Sequence, residues 1–171
     1  MGFPRETKEH LRETIEYAKE LGADWNDFFI ATPLPGSEMC TEFVELGCIP
    51  NDIELLSLGY YSKRVFDTEE ITANELIELV YRANLECNFI HNINMVEKRW
   101  EEAIKVFEPI AAKYPFHIVG WHCIMMCKKA LGREDDFLDI NNKIKDLIKT
   151  DQRAAQMYQK YSDLLPGINF N

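Results

Sequence analysis

Phe28-Phe29-Ile30-Ala31-Thr32-Pro33-Leu34-Pro35-Gly36-Ser37 is the stretch on which the fold turns. Its first five residues form a short apolar run that suits a strand buried on both faces of a sheet, and Pro33 to Ser37 end that run abruptly. Upstream, Thr7 can cap a helix over Lys8 to Leu21, with Leu11, Ile15 and Ala18 along one face, which Leu21 can extend, and Gly22 as its stop. Downstream, Ser37 opens a second helix, Glu38 to Leu46, ended by Gly47. The N-terminal segment therefore reads helix, strand, helix. Ile53 to Thr68 admits either a short strand over Tyr60 to Phe66 or an ordered connector, and the domain boundary is placed there.

From Thr72 the pattern changes. Thr72 and Glu75 form a capping box for a helix running to about Phe89. Apolar and aromatic residues then recur at three- and four-residue spacing through Trp100 to Tyr114, His117 to Leu131 and Phe137 to Leu147, punctuated by Pro115 and Gly132. A period of about 34 residues, the length of a tetratricopeptide helix pair, runs through this half. Ala103, Phe107, Ile110 and Pro115 fall at the spacings of the second helix of such a pair, and Trp121 and Gly132 begin the next. Phe137 and Asn141 depart from the pattern, which leaves one good repeat and one degenerate one. The expected organisation is mainly α: residues 1–70 as helix, strand, helix and connector, and residues 71–171 as an α-helical tetratricopeptide-like domain.

Charge narrows the function classes. The 171-residue chain carries a net charge of −10 and is 46% hydrophobic. Residues 1–75 hold 6 Lys/Arg against 16 Asp/Glu, and the remainder holds 13 of each. Phosphate backbones need clustered Lys and Arg, so no nucleic-acid partner is expected. No run approaches the roughly 18 to 20 apolar residues of a membrane span, and Met1-Gly-Phe-Pro-Arg-Glu has neither a basic leader nor an apolar signal core. A soluble, cytoplasmic chain without a membrane partner is the expectation. Cys40, Cys48, Cys87, Cys123 and Cys127 are odd in number, which favours reduced thiols over a disulfide framework.

Few residues invite a chemical role on their own. Cys123 and Cys127 could join His91 or His117 at a metal, but on a helix that reads Trp121-His-Cys-Ile-Met-Met-Cys they serve better as small hydrophobes. His10 lies on a charged helix and suits solvent exposure. Glu101-Glu102 and Asp135-Asp136 are adjacent pairs near helix starts, where end charges are favoured. Phosphate loops, nucleophile elbows and His-Glu-x-x-His are all missing. No catalytic and no metal-ligating residue is assigned.

Two blocks carry a resemblance: Gly2-Phe3-Pro4-Arg5-Glu6-Thr7, with the helix ending Thr14-Ile15-Glu16-Tyr17-Ala18-Lys19-Glu20-Leu21-Gly22 after it, and then Thr32-Pro33-Leu34-Pro35-Gly36-Ser37. Their order and separation resemble the back half of the radical S-adenosylmethionine barrel, in the branch whose members often also bind cobalamin. There a strand ends in Gly-Phe-Pro-Gly-Glu-Thr, a helix comes next, and the following strand ends in a turn like Thr-Pro-x-Pro-Gly-Thr. The likeness covers roughly residues 2–45, and Tyr81 to Phe89 is similar to the segment after the barrel in some members.

The resemblance implies the C-terminal fragment of an α/β, partial TIM-like barrel joined to the helical region. In such barrels the site lies at the C-terminal ends of the strands. It also implies that Gly2, Phe3, Pro4, Glu6, Thr32, Pro33, Pro35 and Gly36 line the adenosine part of S-adenosylmethionine, with Glu6 either a polar contact there or a first-turn acid of the next helix. The cofactors implied for the complete protein are S-adenosylmethionine and a 4Fe-4S cluster, and the branch admits cobalamin. Two departures matter. Arg5 stands where the family has a second glycine, and the chain lacks the Cys-x-x-x-Cys-x-x-Cys triplet that leaves one cluster iron open to the cofactor. The expectation is thus a chain that begins inside a domain, holds no cofactor alone, is catalytically silent, and has the missing N-terminal half of the enzyme as its partner. The alternative is a helical tetratricopeptide-like module that binds a protein partner without catalysis.

Overall fold

The computed structural model describes residues 1–51 and 64–168. Among them the chain is mainly α-helical, with eight α-helices and no strand. It divides into two compact units, Met1–Leu21 with Asn26–Asn84, and Gly22–Trp25 with Leu85–Asn171. That division falls at the end of the third helix, whereas the sequence places a boundary near residue 70.

The first unit holds α1 (Lys8–Glu20), α2 (Glu38–Glu45) and all but the last residue of α3 (Ala73–Leu85). Thr7 caps α1 by accepting the His10 N–H at 3.2 Å, and His10 Nδ1 lies 3.4 Å from the Thr7 N–H to complete a capping box. His10 is therefore a helix-end residue. Leu11, Ile15 and Ala18 are buried, as their spacing requires, whereas Leu21 at the helix end is exposed. Leu11 joins Ile71, Leu76 and Val80 in a core against which Met1, Phe28 and Ile30 pack. A second, smaller core gathers Phe43 and Ile49 with Phe66. Glu75 accepts from Thr72 N at 3.0 Å and returns its own N–H to Thr72 Oγ1 at 3.2 Å, so the expected capping box opens α3.

The second unit continues with a π-helical turn, Glu86–Ile90, then α4 (Ile93–Val96), α5 (Trp100–Lys113), α6 (Ile118–Ala130), α7 (Glu134–Thr150) and α8 (Gln152–Tyr161), ending in a 3₁₀ turn at Ser162–Leu164. From α5 to α8 each helix packs on the next. The central one, α6, buries residues all round its circumference, which is why its apolar pattern shows little sidedness. Phe107, Ile118, Ile124 and Ile144 are fully buried, and Ala154, Met157 and Tyr161 of α8 close the same core. Leu- or Ile-to-Ala changes at such positions cost about 2 to 5 kcal/mol.

Three expectations need correction. Phe28 to Thr32 forms no strand among the described residues, and Phe29 is 74% exposed, because no described residue of the first unit covers that face. A barrel is not formed among the described residues. The acidic pairs at the helix starts are also more than solvated charges: Glu101 of α5 pairs with Arg133 before α7, and Asp136 lies 3.5 Å from Lys128 of α6. The ambiguous Ile53 to Thr68 reading lies largely outside the described residues. No described helix is long and apolar enough to cross a membrane.

Candidate functional site

Met1 lies opposite Ile30. Its nitrogen donates to the Phe29 carbonyl at 2.9 Å, and the Ala31 N–H donates to the Met1 carbonyl at 2.8 Å. One residue that donates to the neighbour before its partner and accepts from the neighbour after it is the pattern of a parallel ladder, here reduced to a single rung. Both segments leave that rung in the same direction, so Gly2 and Thr32 lie just past it at the same end. The residues just before the two sequence blocks are thus hydrogen-bonded to each other, with α1 between them in the chain.

The first block closes on itself. Glu6 accepts the N–H groups of Gly2 and Phe3, the latter at 3.0 Å, and the Glu6 N–H reaches the Phe3 carbonyl at 3.2 Å. Glu6 precedes the α1 cap, and its carboxylate organises the Gly2–Phe3 turn. Gly2 is buried with φ +84°, and a Cβ there would run into Leu76 and the Arg64 guanidinium. Its lack of a side chain therefore serves packing inside the first unit. Phe3 is 54% exposed and Pro4 half-buried.

Arg5 takes φ +59°, the left-handed region that glycine adopts freely. Its backbone is thus strained, and its side-chain Nε lies 2.7 Å from Glu42 Oε1 on α2. Both partners are well exposed, so this ion pair adds little stability.

The second block is a type II turn over Leu34-Pro35-Gly36-Ser37. Ser37 N–H donates to the Leu34 carbonyl at 3.0 Å, and Gly36, at φ +82°, fills the position that requires positive φ. Ser37 Oγ then caps α2 by accepting the Cys40 N–H at 3.2 Å. Pro33 is buried, Thr32 half-buried, and Pro35 and Gly36 exposed.

Arg64 carries no signal in the sequence. It is only 4% exposed, donates to the Gly2 carbonyl, and sets its guanidinium 5.0 Å and 4.4 Å from the rings of Phe43 and Phe66. Burial lowers its pKa, with Cys48 and Glu6 opposing that effect. No spacing rule links residue 64 to residue 2, so only the folded chain reveals the contact.

In the second unit His117 has a structural role. His117 caps α6 by accepting the Gly120 N–H on Nδ1 at 3.0 Å, and its ring lies 4.7 Å from that of Phe89. Burial lowers the pKa of His117, and likewise that of His122, to about 4. Cys123 and Cys127 are buried, and burial raises both thiols, Cys127 to about 12. Cys127 Sγ contacts Met95 Sδ at 3.3 Å. Inert thiols of this kind match the reading of small hydrophobes. Among the described residues no three His, Cys, Asp or Glu side chains group as a metal site. A 4Fe-4S cluster does not fit the residues present, because the five cysteines include no three-thiolate set among the described residues.

No protein-family model and no solved structure matches the chain. A stretch of 39 residues, 23% of the chain, is 49% identical to an uncharacterized methyltransferase of Pyrococcus horikoshii. The chain spans 8% of the length of that protein.

Proposed function

We propose that this chain is the C-terminal part of a radical S-adenosylmethionine enzyme and supplies a piece of the wall that faces the adenosine of the cofactor. The observation that carries the reading is the single parallel rung between Met1 and Ile30, with α1 as its crossover. A strand, helix and parallel strand are the repeating unit of such barrels, and sites form where the strands end. Phe3, Pro4, Thr32 and Pro33 would stand at that end, with Pro35 and Gly36 in the turn beyond. Gly2 and Glu6 hold the first turn in shape from behind. The 39-residue likeness to an uncharacterized methyltransferase supports an S-adenosylmethionine-related role.

When bound in the complete protein, the cluster and S-adenosylmethionine would supply a 5′-deoxyadenosyl radical for hydrogen abstraction. This chain contributes shape and exclusion of water at one edge. Cobalamin belongs to the branch resembled and is given no residue here. The tail is read as one good tetratricopeptide-like helix pair and one degenerate pair. The consecutive packing of α5 to α8, and Gly132 at φ +71° between α6 and α7, support that reading.

Anaerobic reconstitution of the isolated chain with iron and sulfide is expected to give neither a four-iron spectrum nor cleavage of S-adenosylmethionine. The coding sequence upstream of Met1 is expected to encode the cysteine triplet. A cluster with cofactor cleavage on this chain, or an upstream sequence without the triplet, overturns the proposal.

A further inference from the structure

The second unit contains a cleft of about 260 Å³ that no part of the barrel reading uses. Ile90, Met95, Trp100, Met126 and Leu164 form most of its wall, and among the described residues the imidazole of His122 is its one strongly polar side chain. His122 is 3% exposed, and its Nδ1 is buried without a hydrogen-bond partner among the described residues. A ligand in the cleft cannot reach that nitrogen, so a hydrogen bond to this side chain is made at Nε2.

The dimensions and lining specify the ligand. An engineered apolar cavity of about 150 Å³ takes up benzene, so a space of this size suits a molecule of up to two fused rings. Indole and thioether walls from Trp100, Met95 and Met126 favour a flat aromatic body. No described Lys, Arg, Asp or Glu lines the space, so a charged ligand would lose its hydration without compensation. Burial holds the His122 imidazole neutral at ordinary pH, with one nitrogen donating and the other accepting. A hydroxyl can pair with Nε2 whether that nitrogen donates or accepts.

We propose that this cleft binds a small neutral aromatic molecule of one or two rings carrying a hydroxyl group, with His122 as its hydrogen-bond partner. This site is independent of the barrel reading and stands or falls separately from it.

2-Naphthol, naphthalene and 2-naphthoate are the probes, titrated into the intact chain by calorimetry and ligand-observed NMR. Saturable binding of 2-naphthol is expected, with naphthalene weaker by about tenfold, the equivalent of one hydrogen bond, and no binding of 2-naphthoate. His122→Phe is expected to erase the preference for 2-naphthol over naphthalene, and Met126→Trp to abolish binding of both by filling the space. The comparison of 2-naphthol with naphthalene on the unaltered chain needs no variant, so it decides even where a substitution fails to fold. Absence of saturable 2-naphthol binding, equal affinity for naphthalene, or binding undiminished in Met126→Trp overturns the proposal.

Discussion

Met1 and Ile30 face each other as neighbours in a parallel pair, held on either side of Ile30 by a 2.9 Å bond from the Met1 ammonium to the Phe29 carbonyl and a 2.8 Å bond from the Ala31 N–H to the Met1 carbonyl. That rung sets the arrangement of the N-terminal blocks. It places Gly2 and Thr32 at one end, and α1 returns between them over the Leu11, Leu76 and Val80 core.

Replacing Ala31 with proline removes the N–H that reaches Met1. The expected cost is about 1 to 3 kcal/mol, read as a lower urea midpoint with an unchanged denaturant slope. Equal stability of the two proteins would show that the rung holds nothing in place.

Gly2 and Arg5 both take positive φ, yet they should respond in opposite ways. Gly2→Ala adds strain and a side chain where Leu76 and Arg64 already sit, and should destabilise by about 2 to 4 kcal/mol. Arg5→Gly relieves the left-handed strain and loses only an exposed ion pair, so its stability should match or exceed the parent by up to about 1 kcal/mol. Thermal midpoints of the two variants measured side by side check the contrast.

His117 and His122 make the chain acid-sensitive. Their ordinary value of 6.5 is lowered to about 4 in the folded protein by burial. Between those limits the unfolded chain takes up the proton and the folded one does not. Stability is therefore complete above pH 6.5 and falls as the pH drops towards 4, by at most about 3 kcal/mol for each histidine. Urea midpoints measured from about pH 7.5 to 4 should decline, and His117→Gln with His122→Gln should flatten the profile whatever they do to its height.

Thiol reactivity should sort by burial. Cys40 and Cys48 are half-buried, whereas Cys87, Cys123 and Cys127 are buried, with the last two raised well above the ordinary thiol range. Two thiols should react with an alkylating reagent in the native chain and all five in denaturant, with mass spectrometry assigning the sites. Rapid native labelling of Cys123 would contradict the packing of α6.

Much of the helical architecture is legible in the sequence because caps and periodicity are local. Thr7, Ser37 and the Thr72–Glu75 pair each start a helix within a residue of the expected place, and Gly132 divides α6 from α7. The short α4 and the closing α8 are not legible there, since four residues carry no period and the tail's repeat pattern fades where α8 begins. Phe28 to Thr32 reads as a doubly buried strand from its apolar run alone. A run records what a segment could bury, and Phe29 finds no cover among the described residues of its own unit.

The candidate site divides the same way. Sequence by itself determined the two turns, because Gly36 after Pro35 and the Gly2-to-Thr7 block are set by φ preferences and hydrogen bonds within a few residues. Tertiary structure alone decided that those turns share one end of a parallel rung, that Glu6 is spent on its own loop, and that Arg64 braces Gly2 between two phenylalanines. Contacts between residues tens of positions apart depend on which surfaces the folded chain buries against one another, and no local pattern encodes that choice.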